Sequence, residues 1–215
     1  MKTFDYFRIL LVITISLGIV GYSFSQNRHL KSKEMKTETA TFGAGCFWCT
    51  EAIFDRIEGV IKVEPGFSGG STKNPTYNQV ISETTGHAEV AQITFDPTKV
   101  TYQSLLEVFW KTHDPTSLNR QGADVGTQYR SVIFYHNDQQ KMLANRYLTE
   151  LQASGIWAKP IVTELEEFEV FYPAENYHND YYEKNPNNSY CNFVITPKIE
   201  KFEEIFSDRL KKEEE

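Results

Sequence analysis

The sequence predicts an α+β sandwich, in which helices pack on a mixed and mostly antiparallel sheet. Strand-like and helix-like segments interleave irregularly, no internal repeat is present, and 15 Phe and 12 Tyr supply a large apolar core. The 215 residues suit one domain, and 40% hydrophobic with 24% charged residues are typical of a globular chain. A net charge of −7 argues against nucleic acid as a partner, because phosphate binding needs clustered Lys and Arg.

Residues 1–25 have the features of an export signal. A short basic region precedes about a dozen mainly apolar residues, and small residues before Gln26 offer a cleavage site. A confident membrane span needs about 20 apolar residues, so an uncleaved anchor over residues 9–24 is the alternative. We therefore expect an exported, periplasmic or otherwise extracytoplasmic protein. The polar residues 26–37 predict a flexible linker, and residues 38–212 predict the folded domain.

The predicted strands are short apolar runs that end at turn-forming residues. They cover residues 39–44, 59–67, 87–95, 131–135 and 161–165. The third of them alternates most regularly, and Asp96-Pro97 stops it.

Apolar spacings of three and four residues predict four helices. They cover residues 46–54, a segment capped by Thr101, residues 138–153 ahead of Gly155, and a closing helix from Ile199 to Leu210. Residues 113–128 and 172–197 fit neither pattern. Both segments are polar yet aromatic, and long loops of this kind tend to carry function.

Cys46 and Cys49 lie three residues apart where a strand gives way to a helix. A cysteine at a helix N-terminus faces unpaired N–H groups and the positive end of the helix dipole, which stabilise a thiolate. We therefore expect Cys46, at the exposed end of the helix, to have a lowered pKa and to be the attacking nucleophile. Two alternatives stay open: cysteines that only pack, and a zinc site completed by Cys191 and His178.

Glu89 is placed by strand alternation on the same face as Ala91, Ile93 and Phe95. If that face is the core side, burial raises the pKa of Glu89 and leaves a carboxylic acid that can donate a proton near neutral pH. The alternative is a glutamate at the strand end that reaches water.

Nine short blocks occur in a fixed order. They are GCFWC at 45–49, GFSGG at 66–70, NPTY at 74–77, GHAEV at 86–90, HDPT at 113–116, QGADVGTQYRS at 121–131, AENYH at 174–178, NP at 185–186 and YC at 190–191. Together they resemble the A-type peptide methionine sulfoxide reductases, over about residues 38–206. The resemblance implies a ferredoxin-like core and an enzyme that reduces methionine-S-sulfoxide, free and in proteins, and so repairs oxidised proteins.

The resemblance also implies a role for each matched side chain. Cys46 attacks the sulfoxide sulfur and is left as a sulfenic acid, while Glu89 protonates the departing oxygen. The other matched residues bind the substrate: Tyr77 and Tyr129 hydrogen-bond the oxygen, Phe47 and Trp48 seat the methyl group, and Asp124, Tyr181 and Tyr190 line the site.

A second thiol is then expected to condense with the sulfenic acid and form a disulfide, which an external dithiol such as thioredoxin reduces. Cys49 stands where the commonest family motif has glycine, and Cys191 resembles a resolving cysteine found elsewhere in the family, so either thiol fits that role. We expect no cofactor and no metal, a monomer, and oxidised proteins or peptides and a thioredoxin-like reductant as partners. The alternative function is a thiol-disulfide oxidoreductase that uses the Cys46/Cys49 pair.

Overall fold

The structure, a computed structural model, describes residues 36–212. The predicted export signal or anchor, and the predicted linker apart from its last two residues, lie outside this range. Among the described residues, no helix combines the length and apolar character that crossing a membrane requires.

Six strands form one mixed sheet. They are β1 (Glu38–Ala44), β2 (Val60–Ser68), β3 (Ala88–Phe95), β6 (Ser131–Tyr135), β7 (Glu164–Glu167) and β8 (Tyr172–Pro173), and their order is β7-β6-β1-β3-β2-β8. The short strands β4 (Arg120–Gln121) and β5 (Asp124–Val125) form a separate hairpin. Four strand pairs of the large sheet are antiparallel, and β6 pairs with β7 in parallel.

The helices connect these strands and cover the sheet. They are α1 (Phe47–Asp55), α2 (Tyr77–Ile81), α3 (Tyr102–Thr112), α4 (Asp138–Ser154), α5 (Tyr181–Lys184) and α6 (Thr196–Ile205), and a π-helical turn (Cys191–Ile195) leads into α6. Strand β3 lies between β1 and β2 and runs antiparallel to both, which is the split β-α-β arrangement. The predicted α+β sandwich with a ferredoxin-like core is thereby confirmed.

The main core lies between the sheet and the helices. Phe42 of β1 is fully buried, and its ring lies 5.6 Å from that of Phe54 in α1 and 5.1 Å from that of Phe109 in α3. Burial of a large apolar side chain contributes about 2 kcal/mol, so this cluster fixes both helices against the strand. The start of α1, where β1 ends, is therefore held rigidly.

Two predicted elements end elsewhere than expected. The strand predicted at 161–165 is Glu164–Glu167, because the N–H of Val162 bonds the carbonyl of Pro115 and that part of the chain stays off the sheet. The closing helix ends at Ile205, and Leu210 instead bridges Ile57. Helix α2 was not predicted, although Thr76 and Gln79 form a capping box at its start.

Candidate active site

Cys46 lies at the junction of β1 and α1, as the N-cap residue of the helix. Gly45 makes this turn with φ +91°, a left-handed conformation that L side chains rarely adopt. A Cβ at Gly45 would lie 2.5 Å from the Cβ of Gln121. The glycine therefore lets the turn lie directly against the β4–β5 hairpin.

The two thiols of this turn are both buried. Cys46 is 6% exposed and Cys49 is 3% exposed, and both are free. The expectation of an exposed Cys46 is wrong, because the segment that leads into α6 lies over the helix start. Tyr190 of this segment places its hydroxyl 4.0 Å from Cys49 Sγ.

The acidity of the thiol pair is the reverse of the sequence prediction. Burial, with Cys49 and Glu89 close by, raises the pKa of Cys46 well above its usual value. A hydrogen bond from Cys46 lowers the pKa of Cys49 to about 7, and the nearby ammonium of Lys198 acts in the same direction. Burial outweighs the helix dipole at Cys46, so Cys49 is the more acidic thiol of the pair.

Glu89 on β3 faces the same turn. It is 1% exposed, and its Oε2 accepts a hydrogen bond of 3.0 Å from the N–H of Phe47. Burial raises the pKa of Glu89 from 4.5 to about 8, against the opposing effect of that bond. The sequence left the burial of Glu89 open, and the structure shows that it is buried. A pKa of about 8 favours the protonated carboxyl group at neutral pH.

Tyr77 and Tyr129 complete the polar side of the site. Burial, with Glu89 and Cys46 close by, raises the pKa of Tyr77 to about 12. Burial and Glu89 also raise the pKa of Tyr129. Both phenols therefore stay protonated and can donate hydrogen bonds to an oxygen placed beside Glu89.

Aromatic rings form the apolar side of the site. The indole of Trp48 stacks on Tyr181, with ring centroids 3.7 Å apart and planes inclined by 6°. Phe47 is buried, and its ring centroid lies 6.3 Å from that of Trp48. Because a flat aromatic surface favours apolar contact, this wall suits a small alkyl group.

His178 and Glu175 hold the wall in place. Trp48 Nε1 donates to Nδ1 of His178 at 3.1 Å, so the other ring nitrogen carries the proton. That nitrogen lies 3.9 Å from Glu175 Oε2, while Glu175 Oε1 accepts a 3.0 Å hydrogen bond from the N–H of Tyr77. The chain of contacts therefore ties the indole to the start of α2.

The predicted Asp124 and Tyr190 contact each other. The Tyr190 hydroxyl donates to Asp124 Oδ2 at 2.7 Å. Asp124 is carried by the β4–β5 hairpin, whose Gln121 side chain exchanges two hydrogen bonds of 3.1 Å with the backbone of Asp114. The unassigned segments 113–128 and 172–197 therefore meet over the thiol pair.

Cys191 is the third thiol of the chain and follows Tyr190 directly. Its side chain is fully buried, and its N–H donates to Asn188 Oδ1 at 3.4 Å at the start of the π-helical turn. Burial, with Cys49 nearby, raises the pKa of Cys191. Within residues 36–212, no hydrogen bond joins the sulfur of Cys191 to another side chain.

The structure brings ten of the eleven predicted site residues together around one turn, and the eleventh, Cys191, is buried in the adjoining π-helical turn. Sequence reasoning missed Lys198, whose Nζ lies 3.7 Å from Cys49 Sγ, and Glu175. The available indication for Lys198 was a lysine at the start of the closing helix, shortly after Tyr190-Cys191. In the part of the chain that the structure describes, no three His, Cys, Asp or Glu side chains are grouped to hold a metal ion.

Paired thiols, a buried neutral acid and an aromatic wall at one helix start define a thiol-dependent oxidoreductase for a substrate with an oxygen and a small apolar group. The family model of peptide methionine sulfoxide reductase matches residues 38–210. The chain belongs to this family.

Known proteins agree with this assignment. The chain is 55% identical to peptide methionine sulfoxide reductase MsrA of Saccharolobus solfataricus over 174 residues, which cover 81% of this chain and 97% of the relative. The reduced form of Mxr1 from Saccharomyces cerevisiae matches with a TM-score of 0.67 at 34% identity, over 76% of this chain and 94% of that one. Methionine sulfoxide reductase A of Corynebacterium diphtheriae matches with a TM-score of 0.63 at 38% identity, over 71% and 76%. The chain is therefore a methionine sulfoxide reductase.

Proposed function

We propose that the chain reduces methionine-S-sulfoxide, free and within proteins, with Cys46 as the nucleophile and Glu89 as the acid. The observation that carries this proposal is the buried Glu89 held against the first turn of α1, 1% exposed and bonded to the N–H of Phe47. A sulfoxide oxygen needs a proton as it leaves sulfur, and a neutral carboxyl group supplies one.

The first step moves one oxygen atom. The Cys46 sulfur attacks the sulfoxide sulfur while Glu89 protonates the oxygen, with Tyr77 and Tyr129 as further hydrogen-bond donors. The sulfoxide S–O bond breaks and an S–O bond forms on Cys46, so methionine gains two electrons and Cys46 becomes a sulfenic acid. The proton that Cys46 loses replaces the one that Glu89 gives up, so the step releases no net proton.

The wall of Phe47, Trp48 and Tyr181 supports selectivity for one epimer. If the methyl group rests on the wall and the oxygen faces Glu89, only one arrangement about sulfur leaves the remaining substituent directed outward. Asp124 and Tyr190, joined at 2.7 Å, border the same space and bind the substrate.

We assign the first resolving step to Cys49, because this thiol is hydrogen-bonded to Cys46, whereas Cys191 has no such bond in the described part of the chain. The Cys49 sulfur attacks the sulfenic sulfur, an S–S bond forms, and the hydroxyl group leaves as water. Cys191 then takes over the disulfide after a local opening of its turn. A thioredoxin-like dithiol restores the thiols by exchange.

Repair of proteins outside the cytoplasm follows if residues 1–25 direct export. The basic start, the short apolar run and the small residues before Gln26 support this proposal. Mass spectrometry of the mature chain tests it: we expect an N-terminus at Gln26, and an intact N-terminus on a protein retained in the cytoplasm would contradict it.

One assay tests the function directly. Pure S and R epimers of a methionine sulfoxide peptide are incubated with the enzyme and a dithiol, and methionine is quantified. We expect turnover of the S epimer, none with Cys46→Ser, and one methionine per enzyme in a single turnover with Cys49→Ser. Equal reduction of both epimers, or activity of Cys46→Ser, would contradict the proposal.

The alternative, a dithiol–disulfide exchanger that uses Cys46 and Cys49, gives Glu89 and the aromatic wall no task. It predicts unchanged exchange activity in Glu89→Ala, measured with a peptide disulfide as substrate. Our proposal predicts loss of sulfoxide reduction in the same variant.

A further inference from the structure

Lys198 lies in the first turn of α6, with its half-buried side chain directed at the thiol pair. Its Nζ is 3.7 Å from Cys49 Sγ. Among residues 36–212, none of the ion pairs between lysine or arginine and a carboxylate involves Lys198. A half-buried ammonium that faces a sulfur and no carboxylate is a specific arrangement, because holding a lysine side chain in place costs conformational entropy.

The other polar groups around Cys49 do not supply a positive charge. Cys46 faces Cys49 as a neutral donor, and the neutral hydroxyl of Tyr190 lies 4.0 Å from Cys49 Sγ while it donates to Asp124. Asp124 and Glu89 are acids that disfavour a second negative charge nearby. Lys198 is therefore the cation that contacts this sulfur in the described part of the chain. Its removal would leave the thiolate of Cys49 beside acids alone.

We propose that Lys198 is a positioning residue for disulfide formation: its ammonium holds Cys49 as the thiolate that attacks the sulfenic acid of Cys46. The inference rests on the proposed function, since it needs a sulfenic acid on Cys46. In this step the Cys49 thiolate forms the S–S bond, the S–O bond of Cys46 breaks, and the departing hydroxide takes a proton from Glu89 or from water. Two electrons pass from Cys49 to the sulfenic sulfur, and no further oxidant is required.

Three variants separate charge from structure. Lys198→Met removes the ammonium and keeps the length of the side chain, while Lys198→Arg keeps the charge. Lys201→Met is the matched control, because Lys201 lies on the same helix and lines the same cavity of about 250 Å³ beside Lys198, without a contact to sulfur.

The first readout is the reactivity of Cys49 alone. The chain has three cysteines, so Cys46→Ser with Cys191→Ser leaves Cys49 as the single thiol. Its alkylation by iodoacetamide is followed against pH in this background. We expect Lys198→Met to move the midpoint upward by about one pH unit, and Lys198→Arg and Lys201→Met to leave it unchanged. The same midpoint in Lys198→Met would overturn the inference.

The second readout separates the two chemical steps in otherwise intact enzyme. One equivalent of methionine-S-sulfoxide peptide is mixed with reduced enzyme without reductant, and methionine and disulfide are quantified after rapid quenching. We expect Lys198→Met to release methionine at the wild-type rate and to form disulfide about fivefold more slowly at neutral pH, with recovery at alkaline pH. An equal loss in both steps, as from a structural defect, would overturn the inference.

The two failures are distinguishable. If the wild type releases no methionine, the proposed function fails and the role of Lys198 falls with it. If the wild type releases methionine and Lys198→Met forms disulfide at the wild-type rate, only the role of Lys198 is wrong.

Discussion

The N–H of Phe47 donates to Glu89 Oε2 at 3.0 Å, which fixes the acid against the residue that follows the nucleophile. The bond stabilises the charged carboxylate, yet burial outweighs it and raises the pKa of Glu89 to about 8. Oε2 of Glu89 thus accepts the hydrogen bond from the helix, and Oε1 is the oxygen that carries the proton in our proposal. This geometry links the end of a strand, the start of a helix and the proposed proton transfer.

Glu89→Gln is expected to lower kcat/KM by about 10²- to 10⁴-fold, because the amide keeps the shape of the side chain and the bond to Phe47 but cannot release a proton readily. Steady-state kinetics with methionine-S-sulfoxide peptide measure the effect. The control is Glu64→Gln, which changes a half-exposed glutamate of β2 paired with Lys62. Near-normal activity in Glu89→Gln would show that the proton comes from elsewhere.

The wild-type rate of methionine release is expected to fall as the pH rises through about 8, because Glu89 must be protonated to act. Single-turnover rates between neutral and strongly alkaline pH give the profile. A rate that keeps rising above this range would contradict the assignment of Glu89 as the acid.

The buried carboxyl group of Glu89 is expected to lower the free energy of unfolding at neutral and alkaline pH. The pKa of Glu89 is raised in the fold, so the folded state binds more protons than the unfolded chain between 4.5 and about 8. The free energy of unfolding therefore decreases as the pH rises through that window. Near pH 8, Glu89→Gln should unfold at a higher temperature than the wild type. The corresponding difference in the free energy of unfolding is at most about 5 kcal/mol and shrinks toward acid pH. Calorimetry of the wild type and of Glu89→Gln between pH 4.5 and about 8 measures this difference. A difference in stability that does not change with pH would contradict the role given to the Glu89 proton.

His178→Ala is expected to raise KM more than it lowers kcat. Trp48 loses its 3.1 Å hydrogen-bond partner, and the indole is then free to tilt away from the position in which it seats the methyl group. A lost hydrogen bond of this kind costs about 1–1.5 kcal/mol, or about tenfold in KM. His136→Ala is the control, since His136 stacks on Phe168 away from the site. A change confined to kcat would argue for a role of His178 in the chemistry.

Gly45→Ala is expected to destabilise the fold by about 2 kcal/mol or more, because the new Cβ combines a left-handed backbone with a 2.5 Å approach to Gln121. Gly122→Ala is the matched control: it also has a positive φ, of +63°, but a Cβ there meets no atom within 4 Å. Urea unfolding of both variants measures the difference. Equal losses of stability in the two variants would show that the close packing of Gly45 against the β4–β5 hairpin is unimportant.

Local patterns were sufficient to predict the central strands and to place Glu89 on the face of Ala91, Ile93 and Phe95, but they left open whether Glu89 is buried. Alternation along β3 predicts one buried face, whereas every residue of β3 is buried or half-buried because the fold covers both faces. The contacts of Cys49 were beyond such patterns. Lys198 is 149 positions away and Tyr190 is 141, so only the fold brings them to this sulfur.

The error about Cys46 has a physical reason. The helix N-terminus is visible in the sequence, and it favours a thiolate. The cover provided by Tyr190 is not visible, because it comes from an aromatic loop without periodicity. Burial then raises the pKa of Cys46, and the more acidic thiol of the pair is Cys49.

The fate of the oxygen atom decides whether Cys46 is the nucleophile. The variant with Cys49→Ser and Cys191→Ser is mixed with one equivalent of methionine-S-sulfoxide peptide in the presence of dimedone, which labels sulfenic acids. We expect one methionine released per enzyme and the label on Cys46 in equal amount. Methionine released without any label on Cys46, or a Cys46→Ser enzyme that still releases it, would contradict the claim that this sulfur takes the oxygen.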